Sequence, residues 1–171
     1  MTESTQDIDK LSAEIVHRSR EARFAGISPE VWTQRIESLI SAHEQARNVA
    51  VTGLKPVDEA AGGSNGTLVF EGKWTSSTGE QETADLVLRF LPTRGLFHAY
   101  DVRAQFLIQK ALGETPVPAA PQRWLDEQGE HLGVPGYVMD RVAGRSTPMT
   151  WMTSGLYVDA TPTARRHMQR A

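Results

Sequence analysis

Apolar and polar positions along this chain change period several times, and each change marks a new element. Ile8, Leu11, Ile15 and Val16 recur at helical spacing, and Gly26 offers a stop. Ser28-Pro29-Glu30 has the composition of a second helix start: a capping hydroxyl, a proline at the first helical position and an acid in the first turn. Trp32, Ile36, Leu39, Ile40 and His43 form the apolar stripe of that helix, with His43 as its boundary residue. From Asn48 the spacing shortens. Val49 to Leu54 is an apolar run of strand length, and the glycine-rich stretch Ala61-Gly62-Gly63-Ser64-Asn65-Gly66-Thr67 follows it. Leu68 and Phe70 then alternate with Val69 and Glu71 as in a half-buried strand, and Lys73 to Glu82 reads as a polar hairpin loop. Ala84 to Leu91 is the clearest strand. Leu86, Leu88 and Phe90 point to one face, Asp85, Val87, Arg89 and Leu91 to the other, and Pro92 ends the run.

Tyr100 to Leu112 has helical period again. Ala104, Leu107, Ile108, Ala111 and Leu112 supply an apolar stripe, Asp101 sits in the first turn and Gly113 marks the end. Pro116-Val117-Pro118 and Pro121 make a stiff connector. Gln122 to Asp126 and Gly136 to Val142 are two more strands, joined by a polar turn around Gln128-Gly129. Gly144 to Asp159 is irregular, and Thr161-Pro162 opens a last helix. The expected fold class is therefore α+β: N-terminal helices, then a five-stranded antiparallel sheet with one helix. Three segments follow: a helical extension over 1–47, a lobe over 48–143, and a linker with the start of a further part over 144–171.

Composition narrows the function classes without choosing one. The chain has 171 residues, 39% hydrophobic and 23% charged, as in ordinary soluble folded domains. A net charge of -3 is no footprint for nucleic acid or an anionic membrane. The lack of cysteine removes disulfides and thiolate metal sites. The polar, acidic start MTESTQDIDK is unlike a secretory signal, and no apolar run nears the length of a membrane span. A cytoplasmic protein is the expectation. The chain contains no dinucleotide fingerprint, no P-loop, no zinc-protease helix and no nucleophile elbow.

Several stretches taken in order resemble the aminoglycoside phosphotransferase family, kinase-like enzymes that phosphorylate small molecules. Gly62-Gly63-Ser64-Asn65-Gly66-Thr67-Leu68 is similar to the glycine loop of that family, and Leu86-Val87-Leu88-Arg89 to its third strand. Lys110-Ala111-Leu112, followed by Thr115-Pro116-Val117-Pro118, is similar to its helix and proline exit. Tyr137-Val138-Met139-Asp140-Arg141-Val142-Ala143-Gly144-Arg145 resembles the strand and hinge that close the N-lobe, and Asp159 to Arg166 the start of its next helix. The resemblance spans about Val49 to Ala171 and implies a protein-kinase-like N-lobe without its C-lobe.

The resemblance implies ATP or GTP as the bound cofactor, because phosphoryl transfer is mostly positioning and charge neutralisation. Backbone N–H groups of Gly63, Ser64, Asn65 and Gly66 would approach the triphosphate. Asn-Gly is equally a strong hairpin-turn signal. Arg89 would hold the α- and β-phosphates with its planar fork. The family has a glutamate on the helix seven residues before its closing leucine; counting back from Leu112 gives Gln105, an amide without charge. Asp101, one turn away, is the candidate substitute. Met139, Asp140, Arg141 and Val142 would form the hinge that meets the base through backbone groups, with Val51, Val87 and Tyr137 as apolar walls or plain core.

The family's chemistry belongs to a C-lobe with an H-x-D catalytic loop and a metal-binding aspartate. None of the five histidines opens an H-x-D string. No catalytic base and no metal ligand is expected in this chain, and magnesium and the small-molecule acceptor would be held by the missing lobe. The expected function is the N-terminal, nucleotide-binding portion of an ATP- or GTP-dependent phosphotransferase, inactive by itself. The alternatives are a non-catalytic kinase-like binding or regulatory module, and an unrelated α+β protein whose strand order imitates the lobe.

Overall fold

The computed structural model describes residues 26–57, 66–91, 101–144 and 156–168. In chain order the elements are helix α1 (Pro29–Glu44), strands β1 (Arg47–Pro56), β2 (Gly66–Thr75) and β3 (Gln81–Phe90), helix α2 (Val102–Leu112), strands β4 (Gln122–Asp126) and β5 (Gly136–Asp140), and short helices α3 (Leu156–Asp159) and α4 (Pro162–Met168). The strands form one antiparallel sheet in the order β1-β2-β3-β5-β4. The fold is α+β with an open five-stranded sheet.

Alternation along β2 and β3 divides the sheet into two unlike faces. Leu68, Phe70 and Trp74 of β2 and Leu86, Leu88 and Phe90 of β3 point to the face that α1 covers. Trp32, Ile36, Leu39 and Ile40 of α1 meet them there, with Val51, Trp124, Leu132 and Val138 completing the cluster. The Trp32 and Phe90 rings lie 4.5 Å apart, and Trp74 meets Trp124 edge-on at 5.8 Å. The expected cap holds, since Ser28 accepts a hydrogen bond from the Val31 N–H. His43 lies exposed beyond the stripe. Polar staples tie α1 to the sheet as well. Glu37 accepts from the Val51 N–H at 3.1 Å, Trp124 Nε1 donates to Glu44 at 2.7 Å, and Arg35 donates to the Leu132 carbonyl at 2.9 Å. The helix thus shares its core with the strands.

Four sequence expectations give way. Lys73 to Glu82 is not one loop: β2 runs on to Thr75 and β3 begins at Gln81, in unbroken register from Gly66↔Phe90 to Thr75↔Gln81. The polar residues there occupy the outer ends of two paired strands, and the turn is confined to 76–80. Asp101 is not in the first turn of α2 but caps it, accepting from the Ala104 N–H at 2.8 Å. The stripe assigned to α2 is also the wrong one. Val102 and Phe106 are buried, whereas Leu107 and Ile108 are 48% and 61% exposed and Ala111 is exposed. At the C-terminal end, Thr161 accepts from the Ala164 N–H as a cap should, and the stretch taken as irregular contains α3. The proposed helix over Ile8 to Val16 lies outside the described residues.

Candidate functional site

The second sheet face is where the candidate site falls. One row of paired residues, Thr67–Arg89–Tyr137–Leu125, crosses β2, β3, β5 and β4. Arg89 points to this face because its neighbours Leu88 and Phe90 are committed to the α1 core. Helix α2 lies over the β4–β5 half of the face. The Phe106 ring sits 6.0 Å from that of Tyr137, edge-on, and Leu91, Leu125 and Met139 pack around them. Polar contacts are amides: Gln109 Nε2 donates to the Tyr137 hydroxyl at 3.4 Å, and Gln122 Nε2 donates to Gln109 Oε1 and to the Ala120 carbonyl, each at 2.9 Å.

Helix α2 contains no Asp or Glu; its charged residues are Arg103 and Lys110. Arg103 pairs with Glu127 at 3.6 Å on the exposed side, and the Lys110 ammonium lies 6.0 Å from the Phe106 ring. The helix therefore brings amides and positive charge to this side of the sheet.

The sequence-derived site residues divide under this geometry. Gly63, Ser64 and Asn65 lie outside the described residues. Gly66 opens β2 opposite Phe90, and a Cβ there would stand 2.2 Å from the Phe90 ring. That contact alone requires glycine, whatever else the loop does. Arg89, Gln105 and Met139 are all half-buried; Arg89 and Met139 share the α2 face, and Gln105 precedes Phe106 on the helix that covers it. Asp140 points the other way, paired with Leu86, and its carboxylate accepts from Arg123 Nε at 2.6 Å. That hydrogen bond, with the carboxylate's charge, holds the Arg123 guanidinium above its usual pKa.

The backbone of the segment expected to act as a hinge, 139–142, is partly engaged. The Asp140 N–H donates to the Pro121 carbonyl at 2.8 Å, and the Arg141 N–H to the Asp85 carbonyl at 2.9 Å. Arg141 is exposed, and Val142 is 66% exposed just past the sheet. Of the three suggested apolar walls, Val87 and Tyr137 lie on the α2 face. Val51 does not; it packs against α1. Asp101, suggested as a stand-in for the helix acid, has Oδ1 engaged at its own helix start.

One functional-looking group was absent from the sequence reading. Asp126 is buried and accepts three backbone N–H bonds, from Glu130, His131 and Leu132, at 2.7–2.9 Å. It folds the β4–β5 connection back on itself around Gly129, whose φ of 73° and close approach to Val134 exclude a side chain. An Asp followed by a Gly-containing turn is the signal that could have revealed it. Beside this turn a cavity of about 390 Å³ is lined by His43, Glu127, Glu130 and His131 among others, and by none of the candidate site residues. Among the described residues no three of His, Cys, Asp and Glu converge as a metal site, and no helix is long and apolar enough to cross a membrane. No family model matches the chain.

Proposed function

We propose that this chain is the nucleotide-binding, N-terminal portion of a kinase-like phosphotransferase acting on a small-molecule hydroxyl. The observation that carries the reading is the position of Arg89. It stands on β3 of a β1-β2-β3-β5-β4 antiparallel sheet, on the face covered by the helix that joins β3 to β4. A guanidinium there suits the α- and β-phosphates of ATP or GTP. The segment that precedes β2 is glycine-rich, and β5 leads into Arg141 and Val142 at the sheet edge, where a base would meet backbone groups and the exposed Val142 side chain. The chain's own residues bind and orient in this reading. They include no group proposed as catalytic base, and transfer would need a base and magnesium ligands from a C-lobe.

Isothermal titration of the purified chain with ATP and GTP tests this directly. Saturable binding of one of them, weakened at least about tenfold by Arg89→Ala, is expected, since charge-assisted hydrogen bonds contribute about 1.5–3 kcal/mol each. Affinity unchanged by Arg89→Ala would point to the unrelated α+β reading. The acid-free composition of α2 favours one second reading, a non-catalytic binding or regulatory module on the same lobe. It shares the titration result and differs in staying inactive when a C-lobe is supplied.

A further inference from the structure

We infer that Lys55 is a second phosphate-binding residue of the nucleotide site, which with Arg89 holds the polyphosphate from both sides of β2 and selects a nucleoside triphosphate over a nucleoside. This rests on the nucleotide reading above. Lys55 pairs with Val69 and Val69 with Val87, while Thr67 pairs with Arg89, so all five residues share one face of the sheet. That face is the α2 side, because Val51 and Leu54 of β1 turn to the α1 core. Lys55 stands on β1 and Arg89 on β3, the two strands that flank β2. With strands about 4.8 Å apart and a two-residue offset of about 6.8 Å, their α-carbons lie about 12 Å apart. At that separation two long cationic side chains can contact one polyphosphate.

Lys55 is exposed and makes no ion pair among the described residues. The other lysine on this part of the face is committed elsewhere. Lys73 is bonded to Glu71 at 2.8 Å, which holds the Glu71 carboxyl below its usual range, and Thr52 donates to the same carboxylate at 3.4 Å. The acid that β2 brings to this face is thus already paired, and Lys55 is left to meet an anion from outside. Val69, buried, and Val87, half-buried, lie on its row toward β3, an apolar surface that a lysine stem can cover while its ammonium reaches a charge. A triphosphate keeps negative charge even as its magnesium complex, so a second cation stabilises it. A lysine on an edge strand such as β1 also discourages pairing with another chain. That role alone would change self-association and leave ligand affinity untouched, so binding measurements separate the two.

The test is isothermal titration of the full chain, in magnesium buffer, with ATP, GTP, adenosine and guanosine. For whichever triphosphate wild type binds, Lys55→Ala is expected to weaken affinity about five- to tenfold and to leave the matching nucleoside within about twofold. Lys55→Met, which keeps the apolar stem without the charge, is expected to lose as much as Lys55→Ala. Lys55→Arg, which keeps the charge, is expected to stay within about threefold of wild type. Triphosphate affinity unchanged by Lys55→Ala, equal weakening of triphosphate and nucleoside, or wild-type affinity in Lys55→Met overturns the inference. The nucleotide reading then still stands on Arg89→Ala. Absence of triphosphate binding by wild type removes that reading and the inference with it.

Discussion

The two faces of the sheet are built from different materials. On the α1 face, four buried residues of the helix meet large side chains from all five strands, and three side-chain hydrogen bonds secure the helix at its middle and end. On the α2 face the buried apolar residues among those described are fewer, Val69, Val102, Phe106 and Tyr137, interleaved with Gln109, Gln122, Met139 and Arg89. Close-packed aromatic and aliphatic contacts set stability. The contrast is that the sheet concentrates its tight packing on one face and carries more polar side chains on the other, the face to which we assign the nucleotide.

The largest effect that could break this division is expected in the α1 core. Ile36→Ala and Leu39→Ala should each cost about 3 kcal/mol, while Val102→Ala on the other face should cost about 1–2, read from urea denaturation midpoints. Equal losses on the two faces would mean that α2 is as deeply structural as α1. Next comes Asp126. Its removal takes the acceptor from three N–H groups, that of Leu132 buried and those of Glu130 and His131 part-buried, so Asp126→Ala should cost about 2–4 kcal/mol in the same assay. A loss below about 0.5 kcal/mol would show that the β4–β5 turn is held by its glycines and Leu132 rather than by the carboxylate.

Gly66 sharpens the comparison because it sits where structural and functional readings overlap. Alanine there must displace the Phe90 ring, which is itself pressed against Trp32, and should destabilise by about 1–3 kcal/mol. If nucleotide binding survives in the folded fraction of Gly66→Ala, this glycine belongs to the core. If affinity falls while the denaturation midpoint holds, it belongs to the phosphate loop.

How far these faces could be read from sequence depended on period. In β3 a strict alternation assigned every side chain correctly, Arg89 included, because each apolar neighbour had one face available. In β2 and β3 the outer ends were misread as loop, since Lys73, Thr75, Gln81 and Glu82 carry no apolar signal and only the pairing register places them in strands. In α2 two stripes compete: one through Leu107, Ile108 and Ala111, the other through Val102 and Phe106. Hydrophobicity favoured the first. The sheet selected the second, because Phe106 meets Tyr137 and the Gln109 amide finds partners in Tyr137 and Gln122. Asp126 escaped notice because a single acid at a strand end looks solvated until the following backbone turns back onto it. Side-chain direction at the end of β5 was equally hidden, which is why Asp140 entered the candidate site although it pairs with Arg123 on the opposite face.

The smallest expected effect lies on the outward side of α2. Leu107 and Ile108 are 48% and 61% exposed, so replacing each by glutamine removes little buried area. Glutamine and leucine have nearly equal helix propensity, and isoleucine is slightly worse. The double variant Leu107→Gln, Ile108→Gln should therefore unfold within about 0.5 kcal/mol of wild type and keep its nucleotide affinity. A loss above about 1.5 kcal/mol would show that these residues are packed in solution. α2 would then be a two-sided core helix, and the division between a stabilising face and the face we propose for a ligand would fail at the helix that covers that face.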